Sequence, residues 1–506
     1  MTSSFSKRVK TKFSLEGFAV GIILLLGFIL RLRQYLTGRS LWLDEAMLAL
    51  NIVNRNFAGL FQSLDYDQGA PIGFLLVEKI FNILFGEHEF VLRFFPFLVG
   101  VASLVLFYLL LRRTTSGIGL LTGLALFAVG SELVYYSSEV KQYILDVAIA
   151  IILLYLAYPL FEGQGERRQY VYLGLTGAIG LWFSHPALFV LAGIGLVLLM
   201  QALWIRERHQ LGSVLILGVT WLASLGVLYT ASLRHLTQNR FLREYWQENF
   251  IPVPPWSDWK WFGNFFSGLL QDQIGISVST WLVFIIIVMG FISLYIKNKS
   301  YAGVLLAIFL FTSFASTLWL YPLGGRFSLF MVPMLILLIG ESLEALELRL
   351  SAKQGWGMLV AILVGAYLLY APAAQSITDF VRPKYYEHIR PAMATLAENW
   401  QEGDVLFVSN GAVPAFRFYA DRYRLGDVVY YSSDATDYLQ PENILSDLKA
   451  LDGKARVWVL IVHVYEKEDF NEKDFLLDYL DTIGSRKREF RSAGTSVYLF
   501  LYDLGQ

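Results

Sequence analysis

The dominant pattern along the chain is a series of apolar runs, each long enough for the roughly 20 residues that a helix needs to cross a bilayer. They recur from Phe13 to Pro372 and then stop. The pattern predicts spans at 13–32, 89–111, 117–135, 143–161, 170–184, 186–205, 212–232, 277–296, 301–320, 328–348 and 355–372, which is eleven crossings, give or take one. Basic residues fall at every second turn: Arg112 and Arg113, Arg167 and Arg168, Arg206 and Arg208, Lys297 and Lys299, Arg349 and Lys353. Cytoplasmic loops are the ones enriched in Lys and Arg, so these turns, and the start with Lys7, Arg8, Lys10 and Lys12, are expected inside. The C-terminal part is then outside. Arg31-Leu-Arg33-Gln-Tyr35 stands where a secretory signal would carry a small-residue cleavage site, so the first run is expected to be a retained signal-anchor helix.

Two outer segments are too polar to span. In the first outer loop, 31–88, apolar residues recur at helical spacing over Asp44–Gly59 and Pro71–Phe85, predicting amphipathic helices that lie on the membrane surface. The second, 233–276, holds Pro252, Pro254, Pro255, Trp256, Trp259 and Trp261, and is expected to be a surface-hugging loop anchored by its tryptophans. After Pro372 about a quarter of the residues are charged, against roughly one in eight before it. The expected organisation is therefore a membrane domain over 1–372 and a soluble domain over 373–506. In the latter, 405–408, 428–431, 456–464 and 496–501 look like strands, with helices at 414–419 and 442–451, an alternating α/β order.

Composition narrows the function. Charged residues make up 16% of the 506, hydrophobic ones 56% and aromatics 16%, and mean hydropathy is +0.50, which excludes a soluble enzyme. A formal net charge of −1 offers no basic field to a nucleic acid. With no cysteine, thiolate catalysis, disulfides and cysteine metal clusters are excluded.

The candidate chemistry is concentrated in outer loops. Leu41-Trp-Leu-Asp44-Glu45-Ala46 follows the first crossing, and adjacent carboxylates at a membrane surface are costly unless they bind something. A competing reading makes Asp44 a helix N-cap, with Glu45 favouring the positive end of the helix dipole. Asp65-Tyr66-Asp67 precedes Pro71, Glu139, Lys141 and Tyr143 lie in Tyr135-Tyr-Ser-Ser-Glu-Val-Lys-Gln-Tyr143, and Arg326 lies in Tyr321-Pro-Leu-Gly-Gly-Arg-Phe327. If the crossings bundle, these loops meet over one opening. Taken singly, Asp67 could cap the helix after Pro71, Arg93 could anchor a helix end, and Lys141 and Arg326 could snorkel. His185, in Ser184-His-Pro186, reads as structural.

These motifs resemble the GT-C glycosyltransferases, and within them the branch of protein O-mannosyltransferases and lipid A aminoarabinose transferases. The resemblance rests on Leu-Trp-Leu-Asp-Glu-Ala, a Pro-led helix ending in Leu84-Phe-Gly-Glu87 with Arg93 soon after, Tyr-Ser-Ser-Glu-Val-Lys-Gln-Tyr and the late Gly-Gly-Arg-Phe. It covers roughly residues 15–350. It implies inverting transfer of a sugar from a polyprenyl-phosphate carrier to a hydroxyl of a lipid, glycan or protein acceptor at the outer face; separately, a bacterial inner membrane is the expected setting. By the same resemblance Asp44 is the catalytic base and Glu45 supports it or binds acceptor. Arg326, Lys141 and Arg93 hold the donor phosphate, and Asp67, Glu139 and Tyr143 contact substrate. Relatives often place His, Lys or Glu before the Pro of the second surface helix, where this chain has Gln68-Gly-Ala-Pro71. No cofactor is certain; a divalent ion held by Asp44 and Asp67 stays open, since hard cations accept carboxylate oxygens.

Two other readings compete. A transporter or lipid flippase would use charges inside crossings, such as Asp146, but the paired, broken-helix halves of transporters are not seen. An O-antigen ligase or polymerase shares the compartment, yet here the acidic pair comes in the first outer loop. Donor sugar, carrier length and acceptor are not legible in the string.

Overall fold

The computed structural model describes residues 2–162, 165–205, 208–354, 356–432, 441–467 and 470–505. Of the expected basic turns, Arg206 lies outside these residues, as do the side chains of Arg208, Arg349 and Lys353. Each of the eleven expected spans falls on a helix. Among the described residues nine helices are long and apolar enough to cross a membrane. The pair Gly117–Val129 and Ser131–Ser138, bent by 55°, supplies a tenth. The helix Arg167–Phe183 covers the remaining expected span with 17 residues.

The chain forms two compact units. The first comprises Met1–Thr37, Phe57–Gly86 and Phe90–Pro383; the second comprises Gly38–Asn56, Glu87–Glu89 and Lys384–Gln506. Gly38–Asn56, which the sequence assigns to the first outer loop, is thus part of the compact body of the tail. The last span does not stop at Pro372: its helix carries the proline inside and continues to Val381.

In the first unit the helix Val332–Gln354 is the most enclosed span, packed by Thr280–Lys297, Gly117–Val129 and Gly357–Val381. Apolar tails of lipid give helices no hydrophobic reason to associate, so close packing must, and small residues permit it. Gly290 meets this helix so tightly that a Cβ there would lie 1.8 Å from the Leu338 carbonyl oxygen, and one on Gly119 would lie 2.2 Å from that of Gly340. One end of this bundle is closed by charge. Lys297 Nζ pairs with Glu341 at 2.9 Å and with Glu344, Ser116 Oγ donates to Glu344 at 2.6 Å, and the Ile118 N–H donates to Glu347 at 3.0 Å.

The Leu233–Ile276 segment is not the proline-broken loop expected from its sequence. Helices Arg234–Thr237 and Arg240–Tyr245 precede the prolines, and Trp259–Gly268 follows them. Asn239 caps the second by accepting from the Leu242 N–H, and Asp258 caps the third through the Lys260 and Trp261 N–H groups. Those caps are local helix-start signals, and the prolines fall in the break between the second and third helices. The third helix widens into a π turn at Leu269–Ile274 and stops at Gly275, whose φ of +90° a side chain would resist.

The second unit holds a mixed five-stranded sheet: β1 (Val405–Val408), β2 (Tyr430–Ser432), β3 (Val457–Ile461), β6 (Ser485–Arg491) and β7 (Tyr498–Asp503), in the order β2-β1-β3-β7-β6. β1 pairs in parallel with β2 and β3, whereas β7 is antiparallel to β3 and β6. A two-stranded hairpin, β4 (Glu466–Lys467) and β5 (Phe470–Asn471), stands apart. Phe407, Val457, Val459, Ile461 and Phe500 pack against Ile444 and Leu448 of the helix Pro441–Lys449 and Leu476 and Leu480 of Glu472–Ile483. The helix Arg390–Asn399 packs on β6 and β7 and buries Ala392, Met393 and Leu396.

Candidate active site

Within the first unit, four elements bring chemistry together. Arg326 follows Gly325, which takes φ +59°, in the short helical stretch before Val332. Its guanidinium lies 5.3 Å from the ring centroid of Tyr143 and 5.2 Å from that of Trp246. Tyr143 opens the helix Tyr143–Phe161 and meets Tyr136 and Phe327 edge-on at 5.1 and 6.1 Å. Trp246 packs on Phe327 at 5.0 Å. Aromatic faces attract and orient a cation without neutralising it. Tyr136 is within electrostatic reach of both Arg326 and Glu139.

Lys141, only 3% exposed, donates to the Gln68 side-chain oxygen at 2.6 Å. Glu139 is fully buried two residues before it. Gln68 belongs to the turn that carries Asp67, where Tyr66 and Asp67 take φ of +60° and +50°, a region that non-glycine residues seldom adopt. Asp67 is exposed and accepts from the Asn239 side chain at 2.7 Å. The Ile72–Phe85 helix has Pro71 as its N-cap and no side-chain cap, so the capping role considered for Asp67 is not the one it plays. Asp67, Gln68, His185, His235 and Asn239 line a cavity of about 310 Å³ whose other walls include Leu60, Leu75 and Leu236. Burial depresses the His185 imidazole to about 4, so it is neutral at physiological pH. Arg93, 2% exposed, stands at the N-cap position of the Phe94–Thr114 helix, within electrostatic reach of Tyr35.

The second unit holds Asp44 and Glu45. The helix runs Leu43–Asn54 with Trp42 at the N-cap position and no side-chain cap, so the N-cap reading of Asp44 fails. Asp44 is the second helical residue and partly exposed, whereas Glu45 is wholly buried. Both carboxylates sit in the first turn, where the helix dipole favours negative charge. The first N–H of this helix, that of Leu43, donates to Glu387 Oε2 at 2.8 Å. Among the described residues no group of three or more His, Asp or Glu side chains could hold a metal ion.

Three participants escaped the sequence reading. Trp246 lay in a segment read as loop, Asn239 carried only a capping signal, and Glu387 lies 344 residues from the backbone group it meets. Asp146, the residue that a transport pathway would need, is buried in the helix Tyr143–Phe161.

Comparison with known proteins agrees with this architecture. Residues 69–225 match the family described as dolichyl-phosphate-mannose-protein mannosyltransferase. No curated protein sequence matches the chain. Among solved structures, ArnT from Cupriavidus metallidurans bound to undecaprenyl phosphate is similar with a TM-score of 0.56 at 15% identity, over 96% of this chain and 98% of that one. The oligosaccharyltransferase AglB from Archaeoglobus fulgidus, in complex with an inhibitory peptide and a dolichol-phosphate, is similar with a TM-score of 0.56 at 13% identity, over 98% of this chain and 75% of that one. The matched segment and the architecture shared along nearly the whole length identify the chain as a multi-pass membrane protein with the GT-C glycosyltransferase fold.

Proposed function

We propose that the protein transfers a sugar from a polyprenyl-phosphate donor to an acceptor hydroxyl at the outer face of the membrane, with inversion at the anomeric carbon. The observation that carries this reading is the Arg326 guanidinium set against Tyr143 and Trp246, with the Lys141 ammonium two residues from Tyr143. Two oriented cations suit a lipid phosphate, and arginine's planar fork can meet two phosphate oxygens at once. The matched family and ArnT, solved with undecaprenyl phosphate, support a lipid-phosphate carrier.

In this reaction the acceptor oxygen bonds to the anomeric carbon as the bond from that carbon to the phosphate oxygen breaks. The electron pair leaves on the polyprenyl phosphate, whose charge Arg326 and Lys141 stabilise, Arg93 adding to the local positive field. Asp44 takes the hydroxyl proton, and Glu45 stays in support at its side. Glu139 and Tyr143 contact substrate, Tyr143 also orienting Arg326, and the cavity at Asp67, with one carboxylate, four carboxamides and apolar walls, suits an uncharged sugar ring. The acceptor class is a lipid, glycan or protein hydroxyl, and the setting is a bacterial inner membrane with the tail outside.

The test is transfer from a polyprenyl-phosphate-linked sugar by the purified full chain in nanodiscs. Asp44→Asn should abolish transfer while folding and donor binding persist. Wild-type rates from that variant would remove Asp44 as the base.

A further inference from the structure

Six contacts of the second unit converge on the short stretch that leads into the helix bearing Asp44. Arg390 reaches the Gly38 carbonyl, and Ser40 Oγ contacts His388 Nδ1 at 2.9 Å while accepting from the Arg390 N–H at 3.3 Å. The Leu41 N–H donates to the Tyr419 hydroxyl at 2.9 Å, and the Trp42 ring lies 5.5 Å from that of Tyr386. The Leu43 N–H donates to Glu387, whose other oxygen, Oε1, is 2.7 Å from His463 Nδ1. Two acceptors cannot bond to each other, so His463 Nδ1 carries the proton and donates it to the carboxylate. His463 itself has φ +55°, a backbone state that aims its ring and that few residues other than Gly, Asn, Asp and His tolerate.

The first four N–H groups of any helix lack partners inside it, and a side chain at the N-cap usually serves one of them. Trp42 serves none. Glu387, 3% exposed, takes that role from 344 residues away, and its charge complements the positive end of the helix. Asp44 is the next residue in the same turn. We propose that Glu387, oriented by His463, is a positioning residue that fixes the first turn of the Leu43–Asn54 helix and so the geometry in which Asp44 takes the acceptor's proton, which makes the tail a working part of the transferase. The inference rests on the reading of Asp44 as base.

The experiment is single-turnover transfer by the full chain in nanodiscs, with donor KM measured alongside kcat. Glu387→Ala should lower kcat roughly tenfold to a hundredfold with donor KM within about twofold, since small misplacement of a reacting group has that effect. Glu387→Gln retains an oxygen for the Leu43 N–H and should recover most of the loss. Wild-type kcat in a folded Glu387→Ala, a loss carried by KM, or a Gln variant no better than Ala would each overturn the inference. Should Glu387→Ala not fold, His463→Asn carries the test, because Asn tolerates the left-handed backbone and removes only the support of the carboxylate. A severalfold lower kcat is expected there, and an unchanged one refutes the proposal. Asp44→Asn run in parallel separates the two claims. An inactive Asp44→Asn beside a fully active Glu387→Ala defeats only the positioning role, and an active Asp44→Asn defeats the reading beneath it.

Discussion

Arg326 gives the sharpest test of donor recognition, because its surroundings set both the size and the pattern of the expected effects. A guanidinium about 4 Å from a phosphate gains about 4 kcal/mol at an effective dielectric near 20. The group is partly exposed, so water returns part of that, and Arg326→Ala should cost about 2 kcal/mol, near thirtyfold in donor Kd. Arg326→Lys keeps the charge and loses the fork, for about 1 kcal/mol. Trp246→Ala removes one of the two faces that hold the guanidinium, at 5.2 Å, and should also cost about 1 kcal/mol. If Trp246 acts only through Arg326, the double variant binds no worse than Arg326→Ala alone. Titration of a short-chain polyprenyl phosphate into the protein in nanodiscs reads all four constants. Additive losses would show that Trp246 touches the ligand by itself, and an unchanged Kd in Arg326→Ala would end its phosphate role.

Two further predictions concern stability. Burial raises the Glu472 carboxyl from 4.5 to about 7, so the native tail binds a proton that the unfolded chain releases; stability is full below about 4.5, falls as pH rises towards 7 and stays low above it. Glu472→Gln should therefore flatten this dependence and stabilise the tail at pH 8 by up to about 3 kcal/mol, read as a higher unfolding temperature of the full chain; an unaltered pH profile would contradict it. Gly290→Ala should cost about 1–3 kcal/mol and lower the thermal midpoint in detergent, because its Cβ meets the Leu338 carbonyl at 1.8 Å, while Gly218→Ala, with nothing within 4 Å, serves as the neutral control. Equal midpoints for the two would refute the close crossing.

Local rules made the membrane part legible. A bilayer demands long apolar helices whatever they pack against, so the apolar helices could be marked from the string, nine of the described ones, or ten with the bent pair, being long and apolar enough to cross, and the apolar strands β1, β3 and β7 stood out for a similar reason. β6 did not, because Ser485-Arg-Lys-Arg-Glu-Phe-Arg491 is an edge strand with its charges in water and reads as loop. The site was legible as a set of residue types and not as a set of partners. Arg326 could be singled out, yet nothing in its own neighbourhood pointed to Trp246. Glu387 gave no signal at all, since its meaning comes from an N–H at Leu43 that only the folded chain brings to it.

The three residues before Pro71, Gln68, Gly69 and Ala70, carry no charge. Gln68 accepts from the Lys141 ammonium at 2.6 Å. A buried ammonium needs acceptors, and a carboxylate there would satisfy it while cancelling its charge. A carboxamide oxygen satisfies one of its three donors and adds no negative charge of its own. Under the proposed function, the neutral residue at 68 therefore meets Lys141 without placing a carboxylate beside the donor phosphate.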